Sequence, residues 1–207
     1  FKFVSSTPDA GGKPRRDDLV RVIRKGIDGT AMPPFPDLTD ADVSAVVSYV
    51  VHLSARGETE YQAMKRLIKA AEDADTPEQE ATAAAGKVAA KWAQAATKPI
   101  RVPPDPATTD EDRRKAAARG HHLFTDKNGA GCAACHLDYG RKPNLKFDQW
   151  GNVAQPRNLF LGLYRGGRTP DDLYARIYVG IAGSGMPSHR QLVDAAGSGE
   201  GGDKIWD

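Results

Sequence analysis

Two segments of the 207-residue chain repeat each other without a gap, and this repeat constrains the fold more than any other feature. Residues 17–33 align with residues 171–187 at a constant offset of 154, and nine of the aligned positions are identical. Each copy starts with two aspartates, which favour a helix N-terminus, and then reaches a glycine that ends a helix. A Met-Pro pair follows in both copies, at Met32 and at Met186. The repeat therefore predicts two structural units of the same kind.

A second feature is the motif Cys132-Ala133-Ala134-Cys135-His136, which contains both cysteines of the chain. This spacing is typical of covalent haem c attachment, because each thiol can add to one haem vinyl group and the adjacent histidine then lies under the iron. A zinc half-site is one alternative, but no second CxxC pair or paired-histidine cluster completes four ligands. A redox-active dithiol is the other, although it should follow a strand and this motif follows Gly129-Ala130-Gly131. We predict haem c attached through Cys132 and Cys135, with His136 as an iron ligand.

Met186 is the predicted second axial ligand of this iron. It lies in a glycine-rich run that ends in proline, Gly183-Ser184-Gly185-Met186-Pro187. Glycine lets the backbone approach a flat macrocycle closely, and proline fixes the chain just past the ligand. The alternative ligands are His121, His122 and His189, which lie in a polar helix or beyond the Met-Pro turn.

The first copy of the repeat contains the equivalent methionine, Met32, but no CxxCH motif. Subtracting the offset from Cys132 gives a position before residue 1, so we expect the motif of the first unit to lie upstream of Phe1. Met32 is then the predicted ligand of a second haem. A first unit that has lost its haem is the alternative. Residues 203–207 resemble the opening of the helix that follows Met32, so both units are expected to be cut at the chain ends.

Helical patterns predict an all-α fold in three parts. Residues 1–57 form the first unit, residues 58–107 a helical connector with a proline-rich linker, and residues 108–207 the second unit. In the first unit, Thr39 and Asp42 can cap a helix. The predicted apolar face of that helix consists of Val43, Val46, Val47, Val50 and Leu53.

The connector is predicted to be an antiparallel pair of helices. Apolar residues recur at helical spacing over residues 58–74. Thr76 and Gln79 then form a capping box for a second helix that extends to Thr97. A short turn between two helices is typical of a helical hairpin.

The linker and the approach to the CxxCH motif are predicted from prolines and a cap. Residues 99–106 are proline-rich, which favours a stiff and extended spacer. Thr109 and Asp112 can cap a helix that runs to about Phe124. Residues 139–167 show no clear pattern, and no sheet is predicted.

Residues beyond the iron ligands are expected to support the haem. A backbone carbonyl near Pro156 and Arg157 could accept the Nδ1 hydrogen of His136 and fix its tautomer. The Arg157 guanidinium could also neutralise a haem propionate. Ordinary packing is the alternative for each of these residues. The further candidates for propionate contacts are Arg168, Trp150 and Tyr164.

Charge and hydropathy narrow the class of protein. The formal net charge is +2 and the basic residues are dispersed, whereas a nucleic-acid-binding protein would show a basic stripe. No stretch approaches the length of a transmembrane helix. No signal peptide starts at Phe1, which carries no information if the N-terminus is missing. Because haem c is attached outside the cytoplasm, we expect an exported bacterial protein on the periplasmic or exterior face of the membrane.

With these motifs the chain resembles a class I c-type cytochrome of the dihaem type, with two cytochrome c domains. The general resemblance rests on the CxxCH motif and Met186. Three shorter stretches are similar to planctomycete-type membrane-associated respiratory cytochromes: Phe1-Lys2-Phe3-Val4-Ser5-Ser6-Thr7-Pro8, Cys135-His136-Leu137-Asp138-Tyr139-Gly140-Arg141 and Tyr164-Arg165-Gly166-Gly167-Arg168. Such cytochromes occur beside respiratory-chain components such as alternative complex III and haem-copper oxidases.

The expected function is single-electron transfer rather than catalysis. A His/Met pair saturates the iron and raises its reduction potential relative to two histidines. The expected partners are redox proteins, in a respiratory or photosynthetic membrane complex. One alternative is a dihaem enzyme, such as a peroxidase or a sulfur-compound dehydrogenase, which needs an exchangeable iron ligand. Another is a subunit whose haemless first unit serves as a docking surface.

Overall fold

Helices dominate the regular structure of the chain. The computed structural model describes residues 1–70, 76–148, 151–194 and 205. The helices in this part are α1 (Arg16–Lys25), α2 (Asp40–Ala70), α3 (Pro77–Thr97), α4 (Asp110–Thr125), α5 (Leu137–Gly140), α6 (Pro170–Val179) and α7 (Gln191–Asp194). Short 3-10 turns cover Pro8–Ala10, Cys132–Ala134 and Leu159–Leu161. None of the helices within these described ranges is long and apolar enough to cross a membrane.

Three two-residue strands depart from the expectation of a purely helical chain. They are β1 (Lys142–Pro143), β2 (Lys146–Phe147) and β3 (Val153–Ala154). β2 and β3 pair antiparallel, with Phe147 opposite Val153. All three lie where no pattern could be assigned, because two residues are too few to show the alternation of a strand.

The two copies of the repeat fold into equivalent helices. α1 and α6 start 154 positions apart, and each ends at a glycine with a positive φ, of 69° and 75°. The amide of Gly26 donates to the carbonyl of Val22, and the amide of Gly180 donates to the carbonyl of Arg176, each at 2.9 Å. A side chain would be strained at these φ values, so glycine ends both helices.

The core of the first unit forms between α1 and α2. Leu19 and Ile23 of α1 pack with Val43 and Val47 of α2, and Val47 is completely buried. Burial of a side chain of this size contributes about 1.5–3 kcal/mol relative to leaving it exposed. The loop that joins the two helices carries Met32, so this packing determines where Met32 lies.

α2 does not bury the whole apolar face that the sequence predicted. Val46 is 41% exposed and Leu53 is 47% exposed, so the structure buries only part of the predicted face. Successive residues of a helix are about 100° apart around its axis. Because Val47 faces α1, Val46 points towards the solvent.

The predicted boundary at residue 57 falls inside a helix. α2 is continuous through Gly57, although glycine costs about 1 kcal/mol in a helix interior. The predicted cap is present, since the Asp42 amide donates to the Thr39 hydroxyl at 3.1 Å. Residues 71–74 of the predicted connector helix lie outside the described residues, as does the helix expected over residues 203–207, apart from the buried Ile205.

α2 and α3 form the predicted helical pair. The Arg66 guanidinium lies 2.9 Å from the carboxylate of the buried Glu80, near the turn between the helices. The capping box of Thr76 and Gln79 is confirmed, with both of its hydrogen bonds present. With 31 residues at about 1.5 Å each, α2 is about 46 Å long and extends well beyond its packing against α1.

The start of the proline-rich linker is hydrogen-bonded to the N-terminal segment of the chain. The amide of Ile100 donates to the carbonyl of Ser5 at 2.8 Å, and the amide of Thr7 donates to the carbonyl of Lys98 at 3.0 Å. Prolines have no amide hydrogen and cannot extend this pairing, so it stops after a few residues. The capping box predicted at the start of α4 is confirmed.

The two repeated helices belong to units that touch each other. Arg21 of α1 lies 3.4 Å from the Asp172 carboxylate of α6. Arg176 of α6 is 7% exposed and donates to the carbonyls of Val4 and Lys2, at 3.2 and 3.3 Å. A buried guanidinium needs such acceptors, because desolvation without them is costly. These contacts hold the N-terminal residues against the second unit.

The core between α1 and α2 can be tested at one position. We expect Val47→Ala to lower the free energy of unfolding by about 2 kcal/mol, because it leaves a cavity at a completely buried site. Val46→Ala, at the exposed neighbouring position, is the control and should change it by less than about 0.5 kcal/mol. Urea unfolding followed by circular dichroism measures both, and equal losses would contradict the assignment.

Candidate functional site

The two cysteines lie on a tight 3-10 turn that leads into His136. The turn is entered through Gly131, which has a φ of 62°. The amide of Cys135 donates to the carbonyl of Cys132 at 3.1 Å. Both thiols are free and half-buried, and burial raises the pKa of the Cys132 thiol. The turn therefore presents two thiols beside an imidazole, with that of Cys132 protonated at neutral pH.

Asn144 stabilises this turn through two hydrogen bonds to its backbone carbonyls. Its amide donates to the carbonyl of Cys135 at 2.8 Å, and its side chain donates to the carbonyl of Ala134 at 2.9 Å. The preceding residue, Pro143, pairs with His136 as in an antiparallel sheet, over a single residue pair. Sequence reasoning missed Asn144, because its contacts depend on the chain turning back on itself and no local pattern marks that return.

The carbonyl of Arg157 orients His136. Nδ1 of His136 lies 3.1 Å from this oxygen, so Nδ1 carries the hydrogen and the lone pair of Nε2 is available to a metal. Burial lowers the pKa of His136, and the hydrogen bond to Arg157 opposes part of that shift. The Phe124 ring, in the last turn of α4, lies 6.4 Å from the imidazole. The imidazole is thus neutral at neutral pH, as a metal ligand must be.

Met186 lies in a closed loop over residues 180–187, here called the second methionine loop. The amide of Ile181 donates to the carbonyl of Met186 at 3.0 Å. The Ser184 hydroxyl donates to the carbonyl of Ile181 at 2.8 Å and accepts from the amide of Met186 at 3.4 Å. The backbone on both sides of the half-buried Met186 is therefore fixed within the loop.

Residues 26–33, the first methionine loop, repeat these hydrogen bonds around Met32. The amide of Ile27 donates to the carbonyl of Met32 at 3.1 Å. The Thr30 hydroxyl donates to the carbonyl of Ile27 at 2.8 Å and accepts from the amide of Met32 at 3.2 Å. Thr30 aligns with Ser184 in the repeat. Sequence reasoning missed both hydroxyls, although their common position was a usable signal.

The glycine that opens each loop has no room for a side chain. A Cβ on Gly180 would lie 2.5 Å from the carbonyl carbon of Pro187, and a Cβ on Gly26 would lie 2.6 Å from the carbonyl oxygen of Met32. Gly183, inside the second loop, also has a positive φ, but a Cβ there would meet no described atom within 4 Å. Close backbone packing therefore requires glycine at the first position of each loop.

Met32 lines an apolar cavity of about 350 Å³. All lining residues lie between Phe1 and Val50, so the cavity belongs to the first unit. Its apolar walls include Leu19 and Val22 of α1. Met32 and His136 are thus parts of different units, and Met32 lies at an apolar cavity of the first unit.

The three alternative histidines lie in different surroundings. The His121 ring stacks on the Tyr139 ring with centroids 5.8 Å apart. The His122 side chain is 77% exposed and lies 3.9 Å from the Asp126 carboxylate. His189 is 7% exposed, burial lowers its pKa, and its Nδ1 has no hydrogen-bond partner among the described residues. His189 is therefore a neutral, buried ring, and the other two occupy the surface of α4.

The Arg157 side chain contacts protein on two sides. Its Nε donates to the carbonyl of Leu163 at 3.2 Å. Its guanidinium lies against Gly29 of the first methionine loop, where a Cβ would come within 2.5 Å of Nη2. Pro156, which precedes Arg157, is half-buried. Arg157 thus links the acceptor of the His136 hydrogen bond to the first unit.

The remaining candidates for propionate contacts are distributed differently. The Tyr164 hydroxyl donates to the carbonyl of Leu159 at 2.9 Å. Arg168 is exposed, and Trp150 lies outside the described residues. Within the described ranges, no group of three or more His, Cys, Asp or Glu side chains is arranged to hold a metal ion.

Part of the chain matches a known protein family. Residues 5–50 match the family model of cytochrome C oxidase, cbb3-type, subunit III. The matched segment contains α1, the first methionine loop and the first part of α2. Residues 5–50 are therefore similar to part of a cytochrome c oxidase subunit, and the rest of the chain lies outside this match. Cys132 and Cys135 lie outside the matched segment.

The fold is similar to that of a solved structure. The similar chain belongs to the reducing HAO-like protein complex of Kuenenia stuttgartiensis, with a TM-score of 0.64 and 20% sequence identity. The similarity covers 100% of this chain and 73% of that chain. At this identity the likeness shows the fold alone. A comparison with curated proteins finds no match.

The two glycines of the second methionine loop should differ in how much stability they lose when a side chain is added. Gly183→Ala should cost about 1 kcal/mol, the strain of a side chain at positive φ. Gly180→Ala should cost at least about 2 kcal/mol more, because its Cβ collides with the backbone of Pro187. Urea unfolding measures both variants. A Gly180→Ala variant as stable as Gly183→Ala would show that the backbone contact is absent.

The buried His189 should make stability depend on pH. Burial lowers its pKa from 6.5, so the unfolded chain binds a proton at a higher pH than the folded chain. The associated stability is complete above pH 6.5 and is lost as the pH falls from there towards the folded pKa. We expect the urea midpoint to fall less in His189→Gln than in the wild type between about pH 7.5 and about pH 5.5. The exposed His122→Gln is the control, and a His189→Gln variant with the wild-type dependence would refute the prediction.

Proposed function

We propose that this protein carries single electrons through haem c bonded to Cys132 and Cys135, with His136 and Met186 as axial ligands. The observation that carries the proposal is the 3.1 Å hydrogen bond from Nδ1 of His136 to the carbonyl of Arg157. It leaves Nε2 of a neutral ring available beside two free thiols. An oriented imidazole next to two thiols at this spacing is what covalent haem attachment requires.

The two thiols provide the covalent attachment. Each S–H would add across one vinyl C=C bond of the haem, forming a C–S bond at one carbon and a C–H bond at the other. The addition is redox-neutral and would need no oxidant. Because burial raises the pKa of the Cys132 thiol, its hydrogen is present at neutral pH. The backbone hydrogen bond between Cys135 and Cys132 holds the two residues at opposite ends of a single turn.

Met186 is the proposed ligand on the opposite face of the iron. The hydrogen bond between the Ile181 amide and the Met186 carbonyl fixes the backbone from which the side chain extends. A thioether is a soft, neutral donor that favours the ferrous state, and a His/Met pair raises the reduction potential. Haem c, when bound, supplies a one-electron iron couple. If His136 and Met186 both bound the iron, no position would remain for a substrate, which would favour electron transfer over catalysis.

We also propose that Met32 serves a second haem in the first unit. The apolar cavity of about 350 Å³ that Met32 lines supports this. So does the identical set of hydrogen bonds in the two methionine loops, together with the match of residues 5–50 to a cytochrome c family. Both cysteines lie at positions 132 and 135, so the sequence contains only the methionine side of this site. Two haems in contacting units would form a short electron relay.

The proposed partners are redox proteins of a respiratory or photosynthetic membrane complex. The matched family is named for subunit III of cbb3-type cytochrome c oxidase. The similar solved chain belongs to a protein complex. Both likenesses support membership of an assembly. Because haem c is attached outside the cytoplasm, the proposed location is the periplasmic or exterior face of a bacterial membrane.

The two competing functions differ in iron ligation and haem number. A dihaem enzyme needs one iron with an exchangeable ligand, so rapid reaction of the resting protein with peroxide or cyanide would favour it. A docking subunit with a haemless first unit would carry one haem per chain. Saturated irons and two haems per chain are the results expected of an electron relay.

The axial ligand can be tested by replacing methionines one at a time in the haem-loaded protein. We expect Met186→Ala to abolish the methionine–iron charge-transfer absorption of the haem attached at Cys132 and Cys135 and to lower its reduction potential. Visible spectroscopy and redox titration measure the two effects, and a pyridine haemochrome assay counts the haems.

Met64→Ala is the matched control for this experiment. Met64 lies on α2 and is 56% exposed, so its replacement should leave the absorption and the potential unchanged. Met32→Ala should alter the signals of the second haem only. A Met186→Ala protein with the wild-type absorption and potential would refute the proposed ligation.

A further inference from the structure

The N-terminal turn, defined here as residues 8–12, touches the second methionine loop. A Cβ on Gly12 would lie 2.8 Å from the Cβ of Ala182, a distance at which one of the two backbones must move. Ala182 lies four positions before Met186. Gly12 is therefore a point at which the first unit supports the loop of the second.

An ion pair makes a second contact on the other side of Met186. Nη1 of Arg190 lies 2.8 Å from Oδ1 of Asp9, and Arg190 lies four positions after Met186. The hydrogen bond from Arg190 lowers the pKa of Asp9, so the carboxylate is charged at neutral pH. An exposed pair of this kind contributes little to overall stability, but it restricts the position of the chain that leaves the loop.

The N-terminal turn is itself firmly held. Ala10 is completely buried, and its amide donates to the carbonyl of Thr7 at 3.0 Å. Lys91 of α3 donates to the carbonyl of Asp9 at 2.6 Å. The turn is therefore anchored to the helical pair and can act as a fixed support.

The second methionine loop needs such a support. Its internal hydrogen bonds, between Ile181, Ser184 and Met186, define its shape but not its position relative to His136. A Cβ on Gly183 would meet no described atom within 4 Å. The contact of Gly12 with Ala182 is one of the places where the loop meets a rigid part of the chain.

We propose that the N-terminal turn is a positioning element that holds Met186 on the iron of the second unit. The inference rests on the proposed ligation by Met186. The thioether is a neutral ligand with no covalent bond to the haem, so it remains bound only while the loop stays in place. The turn limits outward movement of the loop through Gly12 and through the pair of Asp9 with Arg190.

The first methionine loop has a corresponding support from the second unit. The Arg157 guanidinium lies against Gly29, which aligns with Gly183 in the repeat. Ala182 aligns with Asp28, the residue before Gly29, so the two loops are contacted at adjacent positions of the repeat. Each unit thus supports the methionine loop of the other.

The test compares two adjacent glycines in the haem-loaded protein. Gly12→Ala puts a methyl group into Ala182, whereas Gly11→Ala meets only the flexible side chain of Lys91, at 3.6 Å. Gly11 and Gly12 have similar positive φ values of 62° and 75°, so both variants share the strain of a left-handed residue. The difference between them therefore isolates the contact with the loop.

The readout is replacement of Met186 by imidazole in the ferric protein. A loop that leaves the iron more often exposes the site to the added ligand in proportion. We expect imidazole to bind about tenfold more tightly to Gly12→Ala than to the wild type, and within about twofold for Gly11→Ala. Loss of the methionine–iron charge-transfer absorption reports the exchange directly, and thermal unfolding reports global stability separately.

The outcomes separate this inference from the proposed function. A wild-type protein without the methionine–iron absorption overturns both. A wild-type protein that has it, with equal imidazole affinity in Gly12→Ala and Gly11→Ala, overturns the positioning role alone. If Gly12→Ala does not fold with haem, Asp9→Asn and Arg190→Gln replace it. Each should tighten imidazole binding about threefold, and wild-type affinity in both overturns the inference.

Discussion

The hydrogen bond from His136 to the carbonyl of Arg157 connects the parts of this molecule on which the proposed haem site depends. It joins the CxxCH turn to the segment after Pro156, and the Arg157 side chain continues to Leu163 and Gly29. Because the acceptor is a main-chain carbonyl, the orientation of the imidazole depends on the path of the backbone rather than on one side-chain rotamer. The proposed ligation therefore depends on how the irregular segment is held in place.

The two methionine loops have the same internal hydrogen bonds but different neighbours in the structure. Their hydrogen bonds are the same, since Ile27 and Met32 repeat the contacts of Ile181 and Met186. Their surroundings differ, because the first loop lines a cavity of its own unit and touches Arg157, whereas the second meets Gly12. Asp9 pairs with Arg190, three residues beyond the second loop. A short sequence can determine the shape of a loop, but its support comes from the unit that lies against it.

The family match and the haem attachment motif lie in different halves of the chain. Residues 5–50 match a cytochrome c family, and the CxxCH motif begins at Cys132. The repeated hydrogen bonds relate the two halves, because the loop inside the matched segment recurs 154 positions later. The ion contact of Arg21 with Asp172 joins the two repeated helices directly.

The sequence by itself determined the features that depend on a few consecutive residues. The helix ends at Gly26 and Gly180 and the capping box at Thr76 could be predicted because caps and glycine stops act locally. Tertiary structure alone decided the exposure of Val46, the bracing role of Asn144 and the contact of Gly12 with Ala182. Each of these depends on segments that are distant along the chain, and their approach is set by the packing of whole helices, which no local pattern records.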